Sequence, residues 1–369
     1  MPALPTRLSS ILVVVAVALG ACGAQGPAPQ AAPASLRLGL ATLVVPPVPN
    51  SVLWLAKDDG SYQREGLDVD LLELDGTPRV MAAMLAGDVD VGNVSTDGVL
   101  RLSSSGQADL RALSSPDPRQ FFLIASRSAI GSVGQLRGKT VAISAIGGLD
   151  DTTTRLVLRS MGVAASDLQF VAVGDPTARA AALVAGRIDA TTISIGTWST
   201  ISAAAGVRVL VSADAYYAAA PLVSKVNAVT ATTLAAKRTV LQRFTRAVLA
   251  ALRRYAGDRG AWVLAMERRR PDLSASQLNA LWDQYRGAWA VDGGMSAPRL
   301  QATADMLYGS DEFRGVPRVP IARWTDLADL QAALGGARAS VPGPPPHGQG
   351  PGYEGGRASH DQPAALARW

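Results

Sequence analysis

AKDDGSYQREGLDV, residues 56–69, joins the end of a predicted helix to the start of a predicted strand. The helix covers residues 52–57 and stops near Gly60, and Gly66 supplies the turn that follows. Residues 67–74 then alternate between apolar and polar side chains, which is the period of a β-strand. The stretch therefore contributes one helix–strand unit of an α/β fold.

Further units of the same kind lie on both sides of this stretch. Residues 36–42 and 89–94 form predicted strands, and Thr77 and Pro78 mark a helix start as N-cap and first helical residue. Strands that alternate with helices predict a parallel sheet with helices on its faces. A second set has predicted strands at 140–144 and 168–173 and predicted helices at 150–159 and 176–185.

The two sets share one junction sequence. Residues 86–90 are Ala-Gly-Asp-Val-Asp and residues 185–189 are Ala-Gly-Arg-Ile-Asp, at a constant offset of 99 residues. Any helix–glycine–strand junction has a similar composition, but the match indicates two lobes of similar wiring. From Thr232 onward apolar residues recur at a spacing of three to four, which predicts helices.

Length, composition and charge indicate the number of domains and the class of partner. The 369 residues are 48% hydrophobic and 18% charged, which excludes a disordered chain and suits two domains. The formal net charge is +5, but the basic residues are scattered, so we expect no nucleic-acid partner. The single cysteine is Cys22, and the two histidines are His347 and His360.

The central part of the chain lacks two reactive residue types. Neither cysteine nor histidine occurs between residues 36 and 336. This excludes zinc sites of the Cys/His type, Cys-His and Ser-His nucleophilic relays, and structural disulfides. Carboxylate or Ser-Lys catalysis remains open. Because cysteine and histidine are lacking here, we expect no metal, no cofactor and no enzymatic activity.

The N-terminus predicts export and lipidation. Arg7 precedes an apolar run over residues 8–19, which is too short to cross a bilayer but matches the apolar region of a signal peptide. The run ends in Leu-Gly-Ala-Cys at residues 19–22, which resembles the lipobox of bacterial lipoproteins and predicts acylation of Cys22. A plain secretory signal with an incidental cysteine is the alternative. We predict a signal peptide at residues 1–21, a flexible tether at 22–35 and a disordered tail at 337–369.

Residues 56–69 also identify a family. They resemble the pattern A-K-x-x-G-x-[YF]-x-x-E-G-L-x-V of periplasmic substrate-binding proteins of ABC transporters, of the nitrate, sulfonate, taurine and thiamine-precursor (SsuA/THI5-like) type. The A-G-x-V-D junction at 86–90 and Leu-Arg-Gly-Lys at 136–139 agree with that family in order, so the resemblance covers about residues 36–310. Asp59 and Ser61 depart from its usual residues, in a turn away from the expected cleft.

The resemblance implies a two-lobed α/β fold, the type II periplasmic-binding-protein fold. Each lobe would hold a mostly parallel sheet flanked by helices, and two crossovers would form a hinge. Residues 36–127 with 213–336 would build lobe one, and residues 128–212 would build lobe two.

The function that the resemblance implies is solute capture. A monomeric, extracytoplasmic lipoprotein, anchored to the bacterial cell membrane through Cys22, would bind a small organic molecule or an oxyanion between its lobes. It would deliver this ligand to an ABC permease and its ATPase. Two alternatives remain: a ligand-sensing lipoprotein that docks on a receptor, and an enzyme of thiamine-pyrimidine or menaquinone-precursor synthesis on the same fold.

The expected ligand contacts follow strand ends, where open α/β sheets bind ligands. Helix N-termini there offer unpaired N–H groups, hydroxyls add donors, and glycines allow close approach, although each such residue is also an ordinary cap or turn former. The candidates are Pro49, Asn50, Ser51, Gly76, Thr77, Ser95, Thr96, Gly147, Gly148, Asp150, Thr152, Thr153, Ser194 and Trp198.

The residues near the expected site give opposing indications about the sign of the ligand's charge. Arg79 and Arg155 near these helix starts would suit an anion, whereas neighbouring aspartates would repel one. Aromatic side chains could stack a ring or hold a cation. The balance slightly favours a neutral or nitrogen-rich organic ligand over nitrate or a sulfonate. The aspartates are Asp97, Asp150 and Asp151, and the aromatic residues are Trp54, Trp198, Tyr216 and Tyr217.

Overall fold

The computed structural model describes residues 32–339, and no side chain is described from residue 336 onward. The predicted signal peptide, Cys22 and nearly all of the predicted tail therefore lie outside the described residues. The predicted tether extends two residues too far, because Ala34 and Ser35 already belong to the first strand. Within the described range, every helix is too short or too polar to cross a membrane.

Ten strands and thirteen α-helices occur within residues 32–339. The strands are β1 (Ala34–Leu40), β2 (Leu67–Glu73), β3 (Val91–Ser95), β4 (Leu110–Asp117), β5 (Phe122–Arg127), β6 (Thr140–Ile143), β7 (Gln169–Ala172), β8 (Ala190–Ser194), β9 (Val207–Val211) and β10 (Lys225–Thr230). The helices are α1 (Val52–Asp58), α2 (Ser61–Arg64), α3 (Gly76–Ala86), α4 (Thr96–Ser104), α5 (Leu149–Ser160), α6 (Pro176–Val184), α7 (Ile195–Ile201), α8 (Ala213–Ala219), α9 (Ala231–Gly257), α10 (Arg259–Arg269), α11 (Ala275–Tyr285), α12 (Ala297–Tyr308) and α13 (Ala328–Ala339).

The strands form two sheets of five with the same wiring. The orders are β2-β1-β3-β10-β4 and β7-β6-β8-β5-β9. In each sheet one strand, β10 or β5, runs antiparallel to its two neighbours, and the other pairs in the sheet are parallel. The expected pair of mostly parallel sheets flanked by helices is confirmed. We term the first sheet with α1–α4 and α9–α13 lobe one, and the second sheet with α5–α8 lobe two.

The two crossovers between the lobes differ from the predicted boundaries. Residues 122–127 were assigned to lobe one, but they form β5, which pairs with β8 and β9. Residues 213–219 were also assigned to lobe one, but they form α8, which packs on β5 through Tyr216 and Phe122. The crossovers are therefore residues 118–121 and 220–224.

The repeated Ala-Gly-x-(Val/Ile)-Asp junction has the same structure in both lobes. Gly87 and Gly186 end their helices in the left-handed region, with φ of 82° and 68°, which glycine adopts without strain. The aspartates that follow then lie before β3 and β8. The Oδ2 atom of Asp90 accepts the backbone N–H of Arg37 at 2.9 Å, and that of Asp189 accepts the N–H of Thr140 at 3.0 Å. The 99-residue offset thus connects equivalent positions of the two sheets.

The stretch at residues 56–69 is held against the long helix α9. The hydroxyl of Tyr62 donates to the carbonyl of Leu53 at 3.0 Å, and its ring stacks on Phe244 of α9. Asp59, one of the two departures from the family pattern, accepts the N–H of Ser61 at 2.9 Å and the hydroxyl of Tyr255 at 3.1 Å. The departing pair thus forms a turn tied to α9 rather than part of a cleft.

The start of α3 differs from its prediction. Thr77 was expected to be the N-cap, but α3 begins at Gly76 with Asp75 as N-cap. The positive φ of Gly76, 80°, places the turn one residue earlier. The hydroxyl of Thr77 instead accepts the N–H of Ser95 at 3.1 Å, which connects α3 to the end of β3.

Candidate ligand-binding cleft

A cleft lies between the carboxyl ends of the two sheets, with a water-accessible volume of about 180 Å³. Both lobes and both crossovers contribute to its walls, as expected for a site in an open α/β fold. Apolar residues line much of it. The apolar walls come from Leu43, Val44, Pro46, Pro47, Val48, Phe121, Phe122 and Leu149.

Part of the predicted site lines this cleft. The lining residues come from the starts of α3 and α5, which follow β2 and β6, from the end of β8, and from the short 3-10 helix Pro49–Ser51 that follows the loop after β1. They are Asn50, Gly76, Thr77, Gly148, Asp150 and Ser194. The other candidates do not line it: Pro49, Ser51, Ser95, Thr96, Gly147, Thr152, Thr153 and Trp198.

Four of the non-lining hydroxyls, on Ser51, Thr96, Thr152 and Thr153, are hydrogen-bonded inside the protein. Ser51 accepts the indole N–H of Trp262 at 3.0 Å, and Thr153 lies 2.7 Å from the hydroxyl of Tyr216. Thr96 donates to the carbonyl of Ser224 at 3.3 Å, so the end of β3 is covered by the second crossover. These side chains hold elements together and cannot also face a ligand.

Thr152 connects the two lobes. Its hydroxyl, on α5, donates to Oδ2 of Asp97 on α4 at 2.9 Å, and both side chains are buried. Oδ1 of Asp97 has no hydrogen-bond partner among the described residues. Burial raises the pKa of Asp97, although the hydrogen bond from Thr152 opposes the shift. This pair fixes the relative position of α4 and α5.

The aromatic and basic candidates also lie elsewhere. Trp54 is fully buried, and its indole N–H donates to Glu73 at 2.6 Å. Tyr216 is fully buried under α5. Arg155 pairs with Asp151 at 2.6 Å rather than facing the cleft. The rings that line the cleft are those of Phe121, the last residue of the first crossover, and Phe122, the first residue of β5, where the sequence pattern marks only a change of element.

A chain of buried amides extends from the cleft across lobe one. Nδ2 of Asn50 donates to Oδ1 of Asn93 at 2.9 Å, and Nδ2 of Asn93 donates to Oδ1 of Asn227 at 3.0 Å. Nδ2 of Asn227 then donates to the hydroxyl of Ser114 at 3.1 Å. Asn227 faces both Asn93 and Ser114 in the registers of β10 with β3 and β4. The chain ends at a hydroxyl, which can accept or donate, so all three amides can reverse together.

The lobe-two wall carries an enclosed ion pair. Oδ2 of Asp150 accepts the N–H of Ser144 at 2.7 Å and lies 3.4 Å from Nη2 of Arg179. Arg179 is buried, and burial lowers its pKa, while Asp150, Asp175 and Asp75 oppose the shift. Arg179 is also bonded to the carbonyls of Gly174 and Thr192. The charge of Arg179 is therefore compensated by groups of lobe two itself.

The lobe-one wall carries a looser pair of charges. Asp117 ends β4 and Lys225 begins β10, directly opposite each other in the sheet register. The ammonium of Lys225 donates to the carbonyl of Ala41 at 3.4 Å. Burial raises the pKa of Asp117 to about 7, against the effect of Lys225, and burial lowers the pKa of Lys225, against the effect of Asp117 and Asp150.

Several lining residues were not predicted from the sequence. Asp117, Lys225 and Gln120 belong to strand ends and crossovers that no local motif marks. A signal for others was present, because Asp75 and Thr77 recur in lobe two as Asp175 and Thr177 at an offset of 100 residues. Arg270 also lines the cleft, and it pairs with Asp272 at 2.7 Å and donates to the carbonyl of Val45 at 3.0 Å.

The chain is similar to known families and structures. The model of the family described as NMT1/THI5 like matches residues 50–258. A protein of Brucella abortus, named as a binding protein, is 28% identical over 140 residues, and so is one of Brucella suis. The aligned region covers 38% of this chain and 42% of those relatives.

Solved structures share the fold over most of its length. A protein of Bordetella bronchiseptica superimposes with a TM-score of 0.73 at 17% identity, covering 83% of this chain and 98% of that one. The alkanesulfonate-binding protein SsuA of Xanthomonas axonopodis, bound to MOPS, gives 0.64 at 22% identity and covers 81% and 100%. The nitrate-binding protein NrtA of Synechocystis gives 0.63 at 13% identity and covers 84% and 90%.

Proposed function

This chain belongs to the NMT1/THI5-like family, and on that premise we propose that it is the solute-binding protein of an ABC importer. It would act outside the cytoplasm, capture a small molecule between its lobes and present it to a permease. The observation that carries the proposal is the cleft of about 180 Å³, which two separate sheets and both crossovers wall together. A ligand in this cleft contacts both lobes at once.

The crossovers support closure as the mechanism. Residues 118–121 and 220–224 alone connect the sheets along the chain, and Nε2 of Gln120 donates to the carbonyl of Ala220 at 2.6 Å. A short, hydrogen-bonded double crossover is suited to a hinge. A ligand that touches both walls favours the closed arrangement by its differential affinity for it.

We propose capture without chemical turnover. The cleft carboxylate Asp117 faces Lys225 rather than a nucleophile, and neither cysteine nor histidine occurs between residues 36 and 336. We also propose that acylated Cys22 anchors the protein to the membrane. A Cys22→Ser variant should then leave the membrane fraction and remain folded, and retention of this variant on membranes would contradict the anchor.

A wedge between the lobes tests closure. A Cβ atom at Gly196 of α7 would lie 2.3 Å from Cγ of Pro47 in lobe one, which is closer than atoms can approach. Gly196→Ala should hold the lobes apart and weaken ligand binding without unfolding either lobe. Gly257→Ala at the end of α9, where a Cβ has no atom within 4 Å, is the matched control.

The measurement combines a thermal-shift screen of small solutes with small-angle scattering of the full chain. One chemical class should stabilise the wild type, by about 2.7 kcal/mol at a hundredfold excess over its dissociation constant. The bound wild type and the Gly257→Ala variant should become more compact, and the Gly196→Ala variant should not. If a tight solute leaves the scattering of the wild type unchanged, the closing mechanism is wrong.

A further inference from the structure

At the starts of the lobe-two helices α5, α6 and α7, side chains of the same lobe accept one N–H group of each helix. Such N-termini are the usual anion sites of a protein, because their first N–H groups lack partners. At α5 the N–H of Asp151 donates to Asp150 at 3.1 Å, and the N–H of Gly147 donates to Asp151 at 2.8 Å. At α6 and α7, Asp175 and Ser194 cap their own helices. The lobe-two wall has little to offer an oxyanion.

Most positive charges of the cleft are also taken. Arg270 is bonded to Asp272 through two nitrogens. The two terminal nitrogens of Arg179 are bonded to Asp150 and two backbone carbonyls, and its Nε has no hydrogen-bond partner among the described residues. Among the described residues that line the cleft, Lys225 is the cation without an ion pair, and Asp117 stands opposite it. The acidic lining residues outnumber the basic ones: Asp75, Asp117, Asp150 and Asp175 against Arg179, Lys225 and Arg270.

Three acceptors of the cleft remain unused. Oδ1 of Asn50, Oδ1 of Asp117 and Oε1 of Gln120 are buried without a hydrogen-bond partner among the described residues. The amide of Gln120 has a fixed orientation, because its nitrogen donates to the carbonyl of Ala220, which can only accept. Gln120 exposes 1% of its surface and Asp117 exposes 7%. Buried acceptors of this kind are costly unless a donor reaches them.

From these contacts, and resting on the proposed solute-binding function, we propose that the cleft selects a small nitrogen compound, neutral or cationic, that donates N–H hydrogen bonds to Asp117 and Gln120. The apolar walls around Phe121 and Phe122 suit a flat organic group next to that donor. Asn50 adapts to the ligand, since its amide chain can present either an acceptor or a donor. Nitrate and simple sulfonates, which carry only acceptors, leave Asp117 and Gln120 unpaired.

Three probes of similar shape and different charge test this selection. Benzamidine is a cation with N–H donors, benzamide is neutral with N–H donors, and benzenesulfonate is an anion without them; sodium nitrate is the fourth probe. We expect benzamidine and benzamide to raise the melting temperature of the full chain and to make it more compact by scattering. Benzenesulfonate and nitrate should do neither.

Asp117→Asn is the informative variant, because it preserves the shape of the side chain and removes its charge. We expect at least tenfold weaker benzamidine binding by calorimetry and a smaller loss for benzamide. Asp305→Asn is the control, since Asp305 is exposed on α12 and pairs with Arg318 outside the cleft lining and both crossovers. Equal benzamidine affinity in the wild type and Asp117→Asn would contradict the assigned contact.

The probes also separate this inference from the proposed function. Binding and compaction with benzenesulfonate or nitrate, without binding of benzamidine or benzamide, would overturn the donor-ligand inference and leave solute capture intact. Failure of all four probes would overturn the inference too, and the wider solute screen would then judge solute capture by itself. Folding of Asp117→Asn does not decide the outcome, because the four probes are compared on the wild type.

Discussion

Lobe one and lobe two have the same strand order, yet they secure the same junction differently. Asp90 of lobe one accepts the N–H of Arg37, pairs with its guanidinium at 3.0 Å and also pairs with Lys237 of α9 at 3.0 Å. Asp189 of lobe two accepts one N–H and has Arg127 at 3.8 Å. The C-terminal helices thus brace lobe one, and lobe two has no equivalent brace among the described residues.

The helix starts at the cleft differ in the opposite sense. Asp175 of lobe two accepts the N–H of Ala178 at 2.9 Å and caps α6. Asp75, its counterpart in lobe one, makes no capping bond to α3, and its carboxylate lies beside Gly174 of the other lobe. Polar groups of lobe two therefore bond within their own lobe, whereas lobe one leaves polar groups available to the cleft.

The largest expected effect is the difference in stability between substitutions of the two junction aspartates. Asp90→Ala removes a buried carboxylate from two cations and a backbone N–H, so it should lower the free energy of unfolding by about 3 kcal/mol. Asp189→Ala, in a more exposed junction, should cost about 1 kcal/mol. Denaturant unfolding at pH 7 measures both.

Acid should reduce the difference between these two variants. Burial acts to raise the pKa of Asp90, but hydrogen bonds from Arg37 and Lys237 outweigh it and leave the pKa below the ordinary value. A carboxyl with a depressed folded-state pKa stabilises above its unfolded pKa, and this contribution is lost as pH falls through the folded pKa. Equal costs of the two substitutions at pH 7 would contradict the bracing of lobe one.

The second effect concerns the free carboxylate of lobe one. Burial raises the pKa of Asp117 to about 7, against the charge of Lys225. Because the folded-state pKa lies above the unfolded one, protonated Asp117 favours the folded state. This contribution to stability is full at low pH and is lost as pH rises toward 7. We expect a loss of about 2 kcal/mol between pH 5 and 7, which Asp117→Asn removes. If the free energy of unfolding of the wild type and of Asp117→Asn changed with pH in the same way, this prediction would be wrong.

The third effect tests the contact between the lobes. Thr152→Val leaves both carboxylate oxygens of Asp97 without a donor side chain from lobe two, at a cost of about 1–2 kcal/mol. Ligand affinity should fall by roughly fivefold to thirtyfold, because the closed arrangement is weakened. Thr152→Ser keeps the hydroxyl and is the matched control. Calorimetry with the solute found by screening would have to give different affinities for the two variants.

The smallest effect distinguishes the two helix caps. Asp175→Ala removes a side-chain cap and should destabilise the protein by about 1 kcal/mol. Asp75→Ala removes no capping bond and should change stability by less than about 0.5 kcal/mol. Thermal unfolding of both variants measures the difference, and a larger loss for Asp75→Ala would reverse the comparison.

Local patterns predicted the alternating strands and helices, and the family resemblance predicted the two-lobed fold and part of the cleft. Alternation and glycine stops predicted β2, α3 and β3, because strand and helix periods are properties of neighbouring residues. Asn50, Thr77 and Asp150 line the cleft because each follows a strand at its carboxyl end, a position that the order of elements predicts. The antiparallel strands β5 and β10 were not distinguished, since direction depends on which sheet a strand joins.

The sequence by itself therefore determined the element types, the repeated junction and the edge of each sheet where the cleft forms. The tertiary structure alone decided which polar groups face that cleft. Ser51 and Thr153 turn inward to Trp262 and Tyr216, while Asp117 meets Lys225 across two strands far apart in the chain. Periodicity sets the conformation of a segment, but the direction of a side chain and the partner it meets depend on how distant segments pack.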